Sequence, residues 1–506
     1  MSGIFRKIDK IDVKSLFFMS LGLHFIIWAI MPWAINENPP LDVIEAIVWG
    51  RELMWGYPKH PPLAIFLTQF AYLLGGKSAF LIYVLSQVAV ISTLLIIWKL
   101  ASEFVDEKRS ILAAAILQGI FFFNYTTPEF NPNVLQMPLW AAICLLSYYA
   151  IVRGNLKYWI GLGIVCGLAF ITKYFAAILF LCLLALLFFT KEGRKYFVTT
   201  KPYVAFFCFL LVIYPHVVWI INSDFLTLKY AAGRTENNSG LVGHFILPLR
   251  FALSQAWVIL FACLIFIFAA KSLPRINIKS KIMSVNFKEF FLLAMGIGPF
   301  ILLITISLIF GMKIRSMWGM PIWNMLGIII FFYYEKKLSE DFVIRFKRVW
   351  AAVFSLAIFV YAGQNILSPY FGVRTIGNYP GDQLADIVTE KWRKKFGTEL
   401  EYVGGLVEVV SNVAVHSKDN PEILTNMRPD HNPWIEIEDV YKKGAVVIWD
   451  TNKIDRPFPQ DWLDSFPGLV VQSGKIVIPD EYEEVEDSEF IWAVIPPSSN
   501  LQLARR

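Results

Sequence analysis

Long apolar runs recur along the first 367 residues and limit the folds open to this chain. A run of about 20 apolar residues forms a helix that crosses a bilayer core of about 30 Å. Since 56% of the 506 residues are hydrophobic and only 17% are charged, the pattern predicts an α-helical polytopic membrane protein with about 11 transmembrane helices. The runs cover residues 15–35, 79–101, 111–123, 134–152, 158–172, 175–190, 202–221, 246–270, 289–310, 320–334 and 349–367.

The distribution of basic residues predicts the orientation. With the N-terminus in the cytoplasm, the inner segments carry 23 Lys and Arg residues, whereas the short outer segments carry 8. Basic residues concentrate on the cytoplasmic side of membrane proteins, so we expect a cytoplasmic N-terminus and, after eleven crossings, a C-terminal tail on the outside. This distribution accounts for the net charge of +6, which therefore gives no reason to expect nucleic acid as a partner.

The composition changes after residue 367. Helix-like stretches alternate with short strand-like runs from 368 to 506, which predicts a small soluble α/β domain. The domain division is therefore 1–367 for the transmembrane part, with a first outer loop at 36–78, and 368–506 for the tail. All five cysteines lie in the apolar runs, and a tail without thiols suits an oxidising compartment.

The first outer loop contains acidic, basic and aromatic side chains of the types found in active sites. Asp42 and Glu45 stand three residues apart, so on a helix both face one way. Lys59 and His60 precede a Pro-Pro turn, and the aromatic residues of the loop are candidates for lining a substrate. These aromatic candidates are Trp49 and Tyr57. The alternative for the two acids is capping of a loop helix.

More cations lie at the outer ends of later helices. Lys173 stands between two short apolar runs, and the spacing of Tyr230 and Arg234 places both on one helical face. Since the orientation rule disfavours outer cations, an anionic ligand is the simplest reason for them. Snorkelling of Lys173 and anchoring at anionic headgroups are the alternatives. The remaining candidates are Tyr174, Lys313, Arg315 and Trp318.

Acids and cations at the outer face together suit a lipid-phosphate sugar. The cations neutralise a leaving phosphate as its glycosidic bond breaks, while a carboxylate orients or deprotonates the acceptor oxygen. Nucleotide sugars fit poorly, because the groups face away from the cytoplasm and no nucleotide-binding domain is visible. We expect these acids and cations to meet in one pocket at the outer membrane surface.

Three elements of the loop carry a resemblance: Pro39–Glu45 (PPLDVIE), Trp49–Glu52 (WGRE) and Gly56–Leu63 (GYPKHPPL). They resemble the first-loop signature of a bacterial GT-C family of membrane glycosyltransferases, related to dolichyl-phosphate-mannose–protein mannosyltransferases and lipid A aminoarabinose transferases. The resemblance continues through Thr172-Lys173-Tyr174, Tyr214-Pro215 to Arg234, and Lys313 to Pro321.

The resemblance implies a multi-pass protein of the bacterial inner membrane with a periplasmic C-terminal domain. It also implies transfer of a sugar from a polyprenyl-phosphate donor, on the periplasmic face, to lipid A or another envelope glycolipid, less commonly a protein. Asp42 and Glu45 match the loop acids of the family, and Lys59 with His60 match its basic pair. Many members carry adjacent Asp-Glu where this chain has Ile44-Glu45, so both acids remain candidates for the catalytic one, with Asp42 first. Family chemistry makes a divalent metal possible, and the sequence assigns no ligands to it.

Two other classes of function explain the sequence less well. A lipid or sugar transporter or flippase predicts internal repeats and charged or broken helices near the midplane, whereas this chain shows no clear repeat and places its charges at the outer face. A non-catalytic envelope scaffold would leave the cluster of acids and bases unexplained. The sequence names neither the sugar nor the acceptor.

Overall fold

The computed structural model describes residues 9–236, 240–271, 286–451, 457–480, 482 and 485–498, and these fall into two compact units. Unit 1 comprises the described residues of Met1–Met31, Lys59–Ala64 and Phe80–Tyr361, and unit 2 those of Pro32–Pro58, Ile65–Ala79 and Ala362–Arg506. The first outer loop therefore contributes to both units. Several basic residues used for the orientation lie outside the described residues, namely Arg6, Lys7, Arg275, Lys279 and Lys281.

Helices dominate the chain up to residue 367. All eleven apolar runs coincide with helical segments, in agreement with the predicted fold class. The α-helices are Val13–Ile35, Leu41–Trp49, Leu63–Leu74, Phe80–Ala101, Glu107–Ala115, Pro132–Arg153, Leu156–Phe170, Ala176–Phe189, Lys191–Arg194, Lys201–Asn222, Leu226–Gly233, Gly240–Ala270, Phe287–Leu292, Gly298–Phe310, Leu326–Tyr333 and Glu340–Leu367. Shorter helical turns are Ile116–Gly119, Phe121–Phe123, Leu293–Ile297, Ser316–Gly319 and Ile322–Met325.

Seven helical segments in the described part of the chain are long and apolar enough to cross a membrane. Leu156–Phe170 and Ala176–Phe189 are apolar but shorter. The protein is thus a multi-pass membrane protein, and the number of eleven crossings stays a prediction. The seven segments are Val13–Ile35, Phe80–Ala101, Pro132–Arg153, Lys201–Asn222, Gly240–Ala270, Phe287–Phe310 and Ser316–Tyr333.

Local sequence sets the ends of the helix Pro132–Arg153. The side chain of Asn131 accepts hydrogen bonds from the backbone N–H groups of Asn133 (2.9 Å) and Val134 (3.3 Å), and Pro132 occupies the first helical position. Both features favour a helix start. The helix ends at Gly154, whose φ of +69° is a left-handed conformation that glycine adopts without strain.

A five-residue turn separates the next two helices and carries Lys173. Leu156–Phe170 ends before it and Ala176–Phe189 begins after it. Two contacts hold the turn: the amide of Gln136 donates to the carbonyl of Ala169 (2.6 Å), and the N–H of Leu63 donates to the carbonyl of Ile171 (3.1 Å). The second contact ties the Lys-His-Pro-Pro-Leu element to this turn within unit 1.

The C-terminal part of unit 2 is the α/β fold that the alternating pattern predicts. Its sheet has the order β2-β1-β3-β6-β4, with β5 also paired to β6. β1, β2 and β3 run parallel, and β6 is antiparallel to its neighbours. The strands are β1 Tyr402–Gly405, β2 Glu422–Thr425, β3 Ala445–Asp450, β4 Val470–Val471, β5 Ile476–Ile478 and β6 Ser488–Ile495. The helices are Gly381–Phe396, Val407–His416, Ile437–Lys443 and Gln460–Ser465.

The first outer loop supplies part of the core of unit 2. Trp49 and Tyr57 are buried in one apolar cluster with residues of the sheet and its helices. Beside them, the guanidinium of Arg51 donates to the carbonyls of Ala414 (2.7 Å), Pro421 (3.1 Å) and Asn420 (3.2 Å). Arg51 therefore fastens the loop to the end of the helix Val407–His416 and to the strand that follows.

Replacing Arg51 tests this anchor. Arg51→Ala removes the donor to three carbonyl groups, so we expect a loss of about 1–3 kcal/mol of stability and a lower midpoint in thermal unfolding of the full chain. Arg51→Lys keeps the charge but lacks the planar fork of donors, and we expect it to recover only part of the loss. An unchanged midpoint in Arg51→Ala would contradict the anchoring role.

Candidate active site

Positive side chains gather around His60 in unit 1. Burial lowers the pKa of His60 well below its usual value, and the charges of Lys173, Lys59 and Arg234 lower it further. The charges of these three predicted phosphate-binding cations therefore all act on the imidazole. His60 is therefore neutral near pH 7 and adds a hydrogen-bonding ring, not a fourth charge.

The ammonium group of Lys173 contacts Asn133 and Trp318. It donates to Oδ1 of Asn133, and it lies 5.5 Å from the ring centroid of Trp318. A cation over an indole face is attracted by the ring quadrupole. Lys173 thus has a defined position at the helix break, in contact with an aromatic residue that the sequence also selected.

Arg234 and Arg315 form a second group of charges. The guanidinium of Arg234 lies 5.7 Å from the ring centroid of Tyr230, as their spacing on one helical face suggested. Burial lowers the pKa of Arg315, and the charge of Arg234 lowers it further. The Nε atom of Arg315 is buried and has no hydrogen-bond partner among the described residues.

A backbone hydrogen bond places Lys313 near Arg234. Its N–H donates to the carbonyl of Thr235 (3.0 Å), next to Arg234, so the two outer loops are joined there. The side chain of Lys313 is exposed. No side-chain contact of Lys313 is found in the described part of the chain.

Gln255 positions the turn that follows Arg315, and sequence reasoning did not select it. Its side chain is 1% exposed, donates to the carbonyl of Ser316 (3.0 Å) and accepts from the indole N–H of Trp323 (3.0 Å). Gly319 lies so close that an added Cβ atom would stand 1.9 Å from Oε1 of Gln255. A polar residue in the apolar helix Gly240–Ala270 was the only sequence signal of this role.

Tyr174 pairs with a buried histidine beside the same turn. Its hydroxyl group lies 2.9 Å from Nε2 of His216, and the two rings stack with centroids 5.7 Å apart. His216 is fully buried in the helix Lys201–Asn222. The pair fixes the position of Tyr174 next to Lys173. Lining of a substrate by Tyr174 stays a prediction.

The two candidate acids belong to unit 2. Asp42 and Glu45 lie three residues apart on the helix Leu41–Trp49, with Asp42 in the first turn. Glu45 is only 4% exposed, whereas Asp42 is partly exposed. A carboxylate in the first turn is favoured by the helix dipole, and the greater access of Asp42 agrees with its place as first candidate. The shared pocket of acids and cations stays a prediction.

The structure places the two aromatic candidates of the first loop inside the core of unit 2. Trp49 and Tyr57 are 1% and 0% exposed and stack at 6.0 Å with nearly parallel rings. Tyr57 also donates to the carbonyl of Glu52 (2.7 Å), and burial raises the pKa of Tyr57 to about 12. Their contacts are those of packing residues, so lining of a substrate by them has no support from this arrangement.

A metal site was left open by the sequence. The described residues contain no group of three or more His, Cys, Asp or Glu side chains that could hold a metal ion. No step is therefore assigned to a metal.

Known proteins are similar to this chain in sequence over part of its length and in fold over nearly all of it. Residues 59–219 match the family described as dolichyl-phosphate-mannose-protein mannosyltransferase. The undecaprenyl phosphate-alpha-4-amino-4-deoxy-L-arabinose arabinosyl transferase of Pseudomonas savastanoi pv. phaseolicola is 24% identical over 171 residues, which are 32% of this chain and 31% of that protein. The match thus spans about a third of the curated relative.

The agreement in fold extends much further than the agreement in sequence. The crystal structure of ArnT from Cupriavidus metallidurans in the apo state gives a TM-score of 0.62 at 9% identity, covering 96% of this chain and 98% of that chain. The same protein bound to undecaprenyl phosphate gives a TM-score of 0.64 at 11% identity, covering 95% and 99%. The chain has the fold of these two structures. The predicted resemblance to the membrane mannosyltransferases is confirmed over residues 59–219, and the resemblance to an aminoarabinose transferase over 171 residues.

Gly319→Ala tests whether Gln255 holds the turn after Arg315. The added methyl group collides with Oε1 of Gln255, so we expect a loss of about 1–3 kcal/mol and a lower midpoint in thermal unfolding. Gly22→Ala is the matched control, because an added Cβ atom meets nothing within 4 Å there. Equal midpoints for the two variants would contradict the close packing at Gly319.

Proposed function

We propose that the protein is a membrane glycosyltransferase that takes its sugar from a polyprenyl-phosphate donor. The observation that carries the proposal is the group of cations around His60 in unit 1, because cations held together against their mutual repulsion suit a phosphate. The charge of Arg234 also acts on Arg315, so a further cation belongs to the same surroundings and supports the same ligand. The relatives in sequence and fold agree, and one of them was crystallised with undecaprenyl phosphate.

The chemistry follows from the groups present. The bond between the sugar's anomeric carbon and the donor phosphate breaks, and a bond from the acceptor oxygen to that carbon forms. Lys59, Lys173 and Arg315 bind the phosphate and stabilise the charge that develops on it, which is a large term in such reactions. Arg234 and Lys313 complete the cationic surroundings, and neutral His60 adds a hydrogen-bonding ring. Polyprenyl phosphate leaves with the electron pair of the broken bond.

Asp42 is our first candidate for the group that receives the acceptor's proton. A carboxylate general base contributes when it is ionised and can reach the acceptor hydroxyl, and the partial exposure of Asp42 suits this role better than the burial of Glu45. Glu45 is the second candidate, with a role in orienting the acceptor. Tyr174, Tyr230 and Trp318 are proposed to line the substrate.

We place transfer on the periplasmic face of a bacterial inner membrane, with the N-terminus in the cytoplasm and the C-terminal domain in the periplasm. The bias of 23 inner against 8 outer basic residues supports this orientation. The proposed acceptor is lipid A or another envelope glycolipid, and a protein is the less favoured alternative. Lipids of the envelope would then present both substrates at the membrane surface.

Mass spectrometry of envelope lipids tests the function together with Asp42→Asn. Cells that produce the wild-type protein should contain a lipid with one added sugar that is missing from cells without the gene. We expect Asp42→Asn to lower transfer about 10²- to 10⁴-fold, the usual contribution of a general base, with wild-type expression and unfolding midpoint. Full activity of Asp42→Asn removes this residue from the mechanism, and identical lipids with and without the gene contradict the function.

Arg315→Ala tests the phosphate role in the purified protein. We expect its affinity for undecaprenyl phosphate to fall about 10- to 100-fold, because hydrogen bonds to a charged group are worth about 1.5–3 kcal/mol. Lys99→Ala is the matched control, since it removes one exposed positive charge from the helix Phe80–Ala101. Equal affinities of the two variants, measured by titration in detergent, would exclude Arg315 from the donor site.

A further inference from the structure

Asn133 binds Lys173, and it stands at the end of the Pro/Asn turn at residues 124–133, whose composition is also compatible with lining a cavity. Its Oδ1 atom accepts a hydrogen bond from the ammonium group of Lys173. Its side-chain nitrogen lies 3.6 Å from the sulfur of Met317, the neighbour of Trp318, whose ring lies 5.5 Å from the same ammonium group. One carboxamide therefore joins the helix Pro132–Arg153 to Lys173 and to the loop that carries Arg315.

The position of Asn133 is itself fixed. It lies in the first turn of its helix, its N–H is bound by the side chain of Asn131 (2.9 Å), and it is only 5% exposed. A side chain on a helix, held by a cap and by burial, can set the position of a flexible lysine much better than a loop residue can. The hydrogen bond to Asn133 restricts the motion of the Lys173 ammonium group, and the Asn133 side chain adds no charge.

The chemical type of this partner matters for the ligand. A carboxamide oxygen accepts a hydrogen bond but is neutral, whereas an aspartate of the same shape would also supply a negative charge. An opposite charge at hydrogen-bond distance cancels most of the field that a lysine presents to a third group. A neutral acceptor orients Lys173 and leaves its attraction for an anion undiminished by that contact.

We propose that Asn133 is a positioning residue, which fixes the ammonium group of Lys173 for the donor phosphate while adding no negative charge beside it. This inference rests on the proposed function, since it takes the phosphate of the donor as the anion. Asn133 itself acts through Lys173 and does not touch the reacting atoms.

The test compares two substitutions at Asn133 in the full-length purified protein, with undecaprenyl phosphate as the probe. Asn133→Ala removes the acceptor, so Lys173 must lose its mobility when the probe binds, and we expect an affinity about tenfold lower. Asn133→Asp keeps the shape and the acceptor but neutralises Lys173. We expect its affinity to be about a hundredfold lower, with a weaker dependence on salt and an unfolding midpoint at or above that of the wild type.

A purely structural role of Asn133 predicts the opposite order, because aspartate would hold Lys173 at least as firmly as asparagine does. Asn155→Asp is the matched control: it adds the same charge at the start of the helix Leu156–Phe170, whose 15 residues place it about 22 Å from the turn that carries Lys173. We expect this control to bind like the wild type.

Each outcome has a separate meaning. Wild-type affinity in Asn133→Asp, with the wild-type protein itself binding the probe, overturns the inference and leaves the proposed function standing. If Asn133→Asp does not fold, Asn133→Ala decides, and wild-type affinity in that variant overturns the inference. A wild-type protein that does not bind the probe overturns the proposed function and this inference with it.

Discussion

The structure depends on holding positive charges close together in unit 1. Lys59, Lys173 and Arg234 all act on His60, and Arg234 acts on Arg315 as well. Such charges repel one another and lose hydration where they are buried. Under the proposed function, an anion that enters among them gains from every member, and the arrangement trades stability of the free protein for affinity. The neutral state of His60 limits the repulsion, because a charged imidazole at this place would add to it.

Neutral amide side chains do much of the work of positioning. Gln136 binds the end of one short helix, Asn133 binds Lys173, and Gln255 binds the turn after Arg315. Each is buried in an apolar part of the chain, where an unsatisfied polar group costs free energy and a satisfied one fixes geometry. Amides suit this task beside a cationic site because they hold lysine or backbone groups without altering the local charge.

The first outer loop contributes residues to both units. Residues 59–64 belong to unit 1 and supply Lys59 and His60, whereas the residues on both sides of them belong to unit 2. Trp49, Arg51 and Tyr57 hold the loop by stacking and by hydrogen bonds to the carbonyls of the α/β fold. The strong signature of this loop therefore mixes residues that we propose for a chemical role with residues that pack, and sequence alone treats both kinds alike.

The sequence by itself determined the helical membrane class, the α/β tail and the break that carries Lys173, because hydrophobic periodicity and length act locally along the chain. It also selected His60, Lys173, Arg234 and Arg315, since cations at the outer ends of helices are unusual. It did not show strand Glu422–Thr425 or the roles of Asn133 and Gln255, whose partners lie 40 and 61 residues away along the chain. Only the tertiary structure decided these, because contacts between distant segments leave no periodic trace in the residues that make them. It also buries Trp49 and Tyr57 in the core of unit 2.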